Sequence, residues 1–153
     1  MHTLEKHELE TLKTVSTLDQ LADVALSSLS RMKVTYQDIV QICGPMSTGG
    51  CGSFEGNMAR FNRAIEVARM HDLAVYNQLL FQDAMVRICK WKEGQPYPTD
   101  ILTIFHGRVL SSGYITKGLF LSGWETSVGA CWEREFLTSF NIPVEEYPAE
   151  WLV

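Results

Sequence analysis

Several things are scarce in this 153-residue chain, and each scarcity closes a door. No apolar run approaches the roughly 18 residues of a membrane span. Basic residues are outnumbered, 13 Lys and Arg against 18 Asp and Glu, for a formal net charge of -5. A balance of that sign argues against a nucleic-acid polymer or an anionic membrane as partner. A small anion remains possible, because backbone N–H groups can bind it locally. The four cysteines, Cys43, Cys51, Cys89 and Cys131, form no C-x-x-C pair. A zinc site of Cys51, Cys89 and His71 would have irregular spacing, so no metal and no other cofactor is expected. The start, Met1-His2-Thr3-Leu4-Glu5-Lys6, has no signal-peptide apolar region, which makes a cytoplasmic protein the expectation. There are no internal repeats and no low-complexity segments.

What remains is an ordinary globular composition, 46% hydrophobic and 20% charged, long enough for one full core. Residues 1–33 read as a separate helical arm. Ser16 or Thr17 can cap a helix that carries Leu18, Leu21, Ala25, Leu29 and Met32 at helical spacing. Leu4, Leu9, Leu12 and Val15 mark a weaker amphipathic stretch. The pair could pack as a hairpin on the domain or on a second subunit, or act as a regulatory element.

From residue 34 to 153 strands and helices alternate. Residues 36–43 read as a buried strand, and 44–52 as a small-residue loop. Ser53 caps a helix with Phe54, Met58, Phe61, Ile65 and Ala68 inward. Leu73 to Asn77 reads as a second strand, Gln78 to Lys90 as a helix, and Gly94-Gln95-Pro96-Tyr97-Pro98 as a break. Thr99 or Asp100 can cap the next helix. A strand at 118–121, a helix from 128 and a short strand at 142–144 complete the chain. Alternation of this kind predicts an α/β fold, a flavodoxin-like or Rossmann-like three-layer sandwich with a mostly parallel sheet. In such sheets ligands sit beyond the carboxyl ends of the strands. That draws the loop at 44–52, Asn77 and the loop at 122–127 to one edge.

The loop at 44–52 lacks the lysine of a Walker P-loop and the spacing of a dinucleotide-binding motif. The second junction says more. With Ser127 as helix cap, the first free N–H groups point outward, where an anion is stabilised. Gly129 leaves room above them. Glu133 shares a helix face with Gly129 and Ala130 and leans back toward the helix start. A phosphate at Ser127 and a carboxylate at Glu133 would then be about a sugar ring apart by helix rise. Such a carboxylate can attack an anomeric carbon and form a glycosyl ester. It could equally be a solvated or paired helix residue. Glu135, nearly opposite, should be at the surface.

Two blocks resemble the nucleoside 2-deoxyribosyltransferase-like superfamily, which includes the 2′-deoxynucleoside 5′-monophosphate N-glycosidases. One is Ile42-Cys43-Gly44-Pro45-Met46 with Asn57 and Phe61-Asn62-x-Ala64. The other is Gly123-Trp124-Glu125-x-Ser127-x-Gly129-Ala130-x-x-Glu133. The likeness covers about residues 39–147. It implies that Glu133 is a covalent nucleophile and that Ser127 and Gly129 hold a 5′-phosphate. It further implies that Gly44, Pro45 and Met46 line the sugar and base pocket, and that the protein forms homo-oligomers. The family's acidic partner to the nucleophile has no clear counterpart, and Asp100 is the expected substitute, with Asp83 behind it. Trp124 or Tyr97 could stack on a base. His106 could protonate a leaving base, although its place beside Phe105 favours a structural role.

The expected function is therefore base cleavage or exchange at C1′ of a nucleoside or nucleoside 5′-monophosphate. The rival is a non-catalytic nucleotide sensor.

Overall fold

A computed structural model of the chain describes residues 1–47, 49–92 and 95–153. Its elements run α1 (Lys6–Thr14), α2 (Leu18–Thr35), β1 (Val40–Cys43), α3 (Phe54–Met70), β2 (Val75–Tyr76) and α4 (Gln82–Cys89). A π-helical segment (Ile101–His106), α5 (Gly107–Ser111), β3 (Lys117–Phe120), α6 (Val128–Ser139) and β4 (Val144–Glu146) follow. The four strands form one sheet in the order β2-β1-β3-β4, and every pairing is parallel.

Alternation along each strand divides two cores. Val40 and Ile42 of β1, with Val75 and Leu119, pack against Phe61, Ala64, Ile65 and Ala68 of α3. Cys43 of β1 and Phe120 of β3 face the other way, against α2, α4, the π segment and α6. Burial on both faces is what a parallel sheet requires. The result is the three-layer α/β sandwich that the alternating pattern predicts. The sheet is wholly rather than mostly parallel.

The caps form where the sequence places them. Thr17 accepts from Gln20 N, Ser53 from Gly56 N, and Ser127 from Ala130 N at 3.2 Å. The division at residue 33 needs correction. Leu21, Ala22, Ala25 and Leu29 are completely buried in the same core as Phe105 and Phe120. Helix α2 is thus a layer of the sandwich, not an appended arm, and a Leu29→Ala cavity would cost about 2–5 kcal/mol. The predicted helix over 78–90 starts as a 3₁₀ turn, Gln78–Phe81, before α4. The predicted break at 94–98 falls in part, at Gly94, outside the described residues.

The order β2-β1-β3-β4 makes β1 and β3 neighbours whose connections diverge. Helix α3 leaves β1 toward one face, and α6 leaves β3 toward the other. This is a topological switch point, and a crevice opens beyond the carboxyl ends of these two strands. Gly44 marks how tightly the strand ends approach there. A Cβ at that position would lie 2.9 Å from Leu121 Cβ. Gly123, at φ 88°, turns the chain from β3 toward α6, a conformation that favours glycine.

Candidate active site at the β1–β3 switch point

Residues from four segments line the crevice: Gly44, Met46 and Ser47 after β1, and Gln78 after β2. Tyr97, Leu102 and His106 come from the segment before α5, and Ser127, Gly129, Ala130 and Glu133 from the start of α6. Its volume is about 20 Å³, room for roughly one water. Larger grooves exist elsewhere, but their chemistry is poorer. One of about 510 Å³, lined by Tyr36, Arg69 and Met70, lies at the opposite ends of the strands. Another, of about 420 Å³ between α1 and α2, contains Glu8, whose charge Arg31 already neutralises at 2.8 Å.

Glu133 is the chemical centre. It is 6% exposed and has no ion-pair partner among the described residues. Gln41 Nε2 donates to its Oε2 at 2.6 Å, and the Cys43 thiol donates to the same oxygen at 3.3 Å. Oε1 has no hydrogen-bond partner among the described residues and is left to the crevice. Burial pushes the carboxyl up to about 7, while the Cys43 and Gln41 hydrogen bonds pull it down. A neutral-pH mixture of acid and carboxylate follows. Burial, and then the Glu133 charge, push the Cys43 thiol well up, so it stays a donor.

Gln41 is the residue that the sequence reading missed. It is fully buried inside a strand otherwise made of Val40, Ile42 and Cys43. A buried amide is costly unless its hydrogen bonds are made. Its Nε2 also approaches Gln78 Oε1 at 3.5 Å, and Gln78 Nε2 donates to Ile42 O at 3.0 Å. The only warning in the sequence is a lone polar residue inside an apolar run.

The other expected site residues divide. Gly44, Met46, Ser127 and Gly129 join Glu133 in the crevice. Pro45 is buried, but it does not line the crevice. Asn77 does not reach it either. Its side chain accepts from Leu79 N at 3.1 Å, and its own N–H donates to His2 Nδ1 at 2.9 Å. The next residue, Gln78, points inward instead. Trp124 packs edge-on against Phe120, beneath the Arg134 guanidinium 4.2 Å from its ring, and does not line the crevice. Asp100 is a correction. It is exposed, at the first turn of the helical stretch, and lines a different groove with Thr17 and Cys89. Leu102 and His106, not Asp100, line the crevice with Glu133. Asp83 is exposed as well, and Glu135 is at the surface as expected.

Comparison with known protein families, curated proteins and solved structures finds no match for this chain. The functional reading rests on the residues in the crevice.

The loop before α3 is pinned by Asn57. Its Nδ2 donates to Met46 O and Gly49 O, and its Oδ1 accepts from Cys51 N at 2.8 Å. Thr126 Oγ1 accepts from Gly50 N at 3.1 Å, tying this loop to the one after β3. Arg60 reaches Ser122 O at 2.8 Å. The two halves of the crevice are thereby held against each other. Among the described residues no cluster could hold a metal ion, and no helix is long and apolar enough to cross a membrane.

Proposed function

We propose that this protein cleaves or exchanges the N-glycosidic bond of a nucleoside or nucleoside 5′-monophosphate, through a covalent glutamyl-sugar intermediate. The observation that carries the proposal is the state of Glu133. It is a buried carboxyl with both hydrogen bonds on Oε2 and a bare Oε1 toward the crevice, in a helix whose start, at Ser127, Gly129 and Ala130, lines the same crevice. In this reading Oε1 attacks C1′ as the base departs. Gln41 and Cys43 hold the spectator oxygen, and the first N–H groups of α6 take the phosphate. Met46 and Tyr97 flank the space for sugar and base. Tyr97 must swing aside for a nucleotide to be admitted, because the closed crevice holds about one water. The motif resemblance in the two loops agrees in kind and adds the expectation of a homo-oligomer.

The test is direct. Purified protein is incubated with a panel of nucleosides and monophosphates, and free base is followed by chromatography. Release is expected from at least one deoxynucleoside monophosphate, with a glycosyl adduct at Glu133 visible by mass spectrometry. Release that survives Glu133→Ala would remove the assigned mechanism. The narrow crevice, with no second carboxylate among the described residues that line it, favours one other reading, a non-catalytic nucleotide sensor. Tight nucleotide binding with no free base would select it.

A further inference from the structure

An N-glycosidic bond breaks only if the departing base is stabilised, and among the described residues no second carboxylate lines the crevice. Besides Glu133, its titratable lining groups are Tyr97 and His106. His106 is 4% exposed and sits at the end of the π-helical segment, a distortion of the kind found at functional sites. Its Nε2 lies 3.4 Å from the Tyr97 hydroxyl, a long contact. Its Nδ1 is buried with no partner among the described residues. A buried imidazole with one weak hydrogen bond and one unmade bond is costly. A ligand that replaces the Tyr97 hydroxyl would meet Nε2.

We propose that His106 is the proton donor to the departing base, and that the substrate's own 5′-phosphate, seated at the start of α6, arms it. This rests on the reading of Glu133 as nucleophile. Burial holds His106 down to about 4, so the imidazole is neutral near pH 7. A phosphate at Ser127 and Gly129, in the same small crevice, would favour the imidazolium. Among the described residues, the titratable groups that share the crevice with His106 are the Tyr97 hydroxyl, 3.4 Å from its Nε2, and the Glu133 carboxyl. Arg108, two residues on, is turned outward to Asp19 and Asp23 of α2. Asp100 lines the groove on the α2 side. Tyr97 itself is no acid, since burial, and then the Glu133 charge, push its hydroxyl up.

The steps balance. Glu133 Oε1 forms a bond to C1′ while the C1′–N bond breaks and its electron pair stays with the base. The base nitrogen takes the proton from His106 Nε2, which becomes neutral. Water then attacks C1′ and gives its proton to His106, and the ester electron pair returns to Glu133. Enzyme and proton count are restored, with base and sugar phosphate as products.

The experiment compares two monophosphates, one with an ordinary purine and one with an N7-methylated purine that leaves as a neutral base and needs no proton. His106→Asn should lower release of the ordinary base by about 10²–10⁴-fold and of the methylated base by less than about tenfold. Equal loss on both, or no loss on the ordinary base, overturns the proposal. Glu133→Gln should abolish release from both. Its failure to do so would count against the nucleophile reading, not against His106. A second measurement needs no variant. The His106 imidazole of the wild-type protein is titrated by NMR with and without inorganic phosphate, and its midpoint should rise by about one unit or more. An unchanged midpoint overturns the arming step.

Discussion

Replacing Glu133 by Gln should make the folded protein more stable, by an amount that depends on pH. Glutamine can keep its carbonyl at the Oε2 position, where Gln41 and Cys43 donate, and turn its NH₂ toward the crevice. The substitution therefore removes a buried charge without breaking the surrounding hydrogen bonds. The folded carboxyl titrates near 7 against 4.5 for an ordinary glutamate. Because the folded value is the higher one, the stability that Glu133 contributes is full below 4.5 and is lost as the pH rises through 7. A shift of this size corresponds to about 3 kcal/mol at pH 8, and to about 1 kcal/mol at pH 5. Urea unfolding of both proteins at the two pH values measures the difference directly. The variant should be favoured by about 3 kcal/mol at pH 8 and by much less at pH 5. A gap that stays constant between pH 5 and pH 8 would show that Glu133 is not desolvated in the folded state, and the nucleophile reading would lose its physical basis. The same variant should release no base, a trade of activity against stability of the kind seen at strained active sites.

Three further outcomes are expected. Gln41→Leu removes a hydrogen bond to a charged acceptor, so the Glu133 midpoint should rise by about one unit or more, and the acid limb of a pH–rate profile should move up with it. Gly129→Ala places a methyl 3.7 Å from Leu102 Cδ2 and 3.9 Å from Ser127 Oγ, ordinary contacts. It should fold normally yet weaken phosphate binding, read by calorimetry, because the methyl occupies the anion's space. His2→Ala loses hydrogen bonds with Ser28 Oγ and the Asn77 N–H, and should cost about 1–3 kcal/mol near neutral pH. Burial lowers His2 from 6.5 to about 4, so its contribution is present above 6.5 and lost as the pH falls toward 4. The loss from the substitution should therefore shrink in acid, as urea titrations at pH 7 and pH 4.5 would reveal.

The fold was legible because its signals are local. Helical stripes such as Phe61, Ile65 and Ala68 and the cap residues Thr17, Ser53 and Ser127 depend on neighbours a few positions away. Glu133 was legible for the same reason, since Ser127, Gly129 and the carboxylate share one helix. Gln41 was not, because its partner lies 92 residues on and only the sheet brings them together. Asp100 was misplaced because it was chosen only to fill the place of the family's acidic partner, and nothing local to a helix start says which groove an exposed side chain lines. The place of α2 was left open between the domain and a second subunit because a helix's apolar stripe does not say what covers it.

Strand β4 lies at one edge of the sheet and β2 at the other, and the chain treats them differently. Strand β2 pairs over two residues and leaves little backbone to extend. On β4, Glu145 and Glu146 are exposed, one paired with Lys117 and the other with Arg134. A charged, three-residue margin is a poor template for another strand. Lateral growth of the sheet, the first step toward fibrous aggregation, is blocked at both ends by shortness and at one of them by charge as well. A second copy of the chain that associates productively would have to meet helices, and the geometry of any assembly would be set by the outer layers and not by the strands.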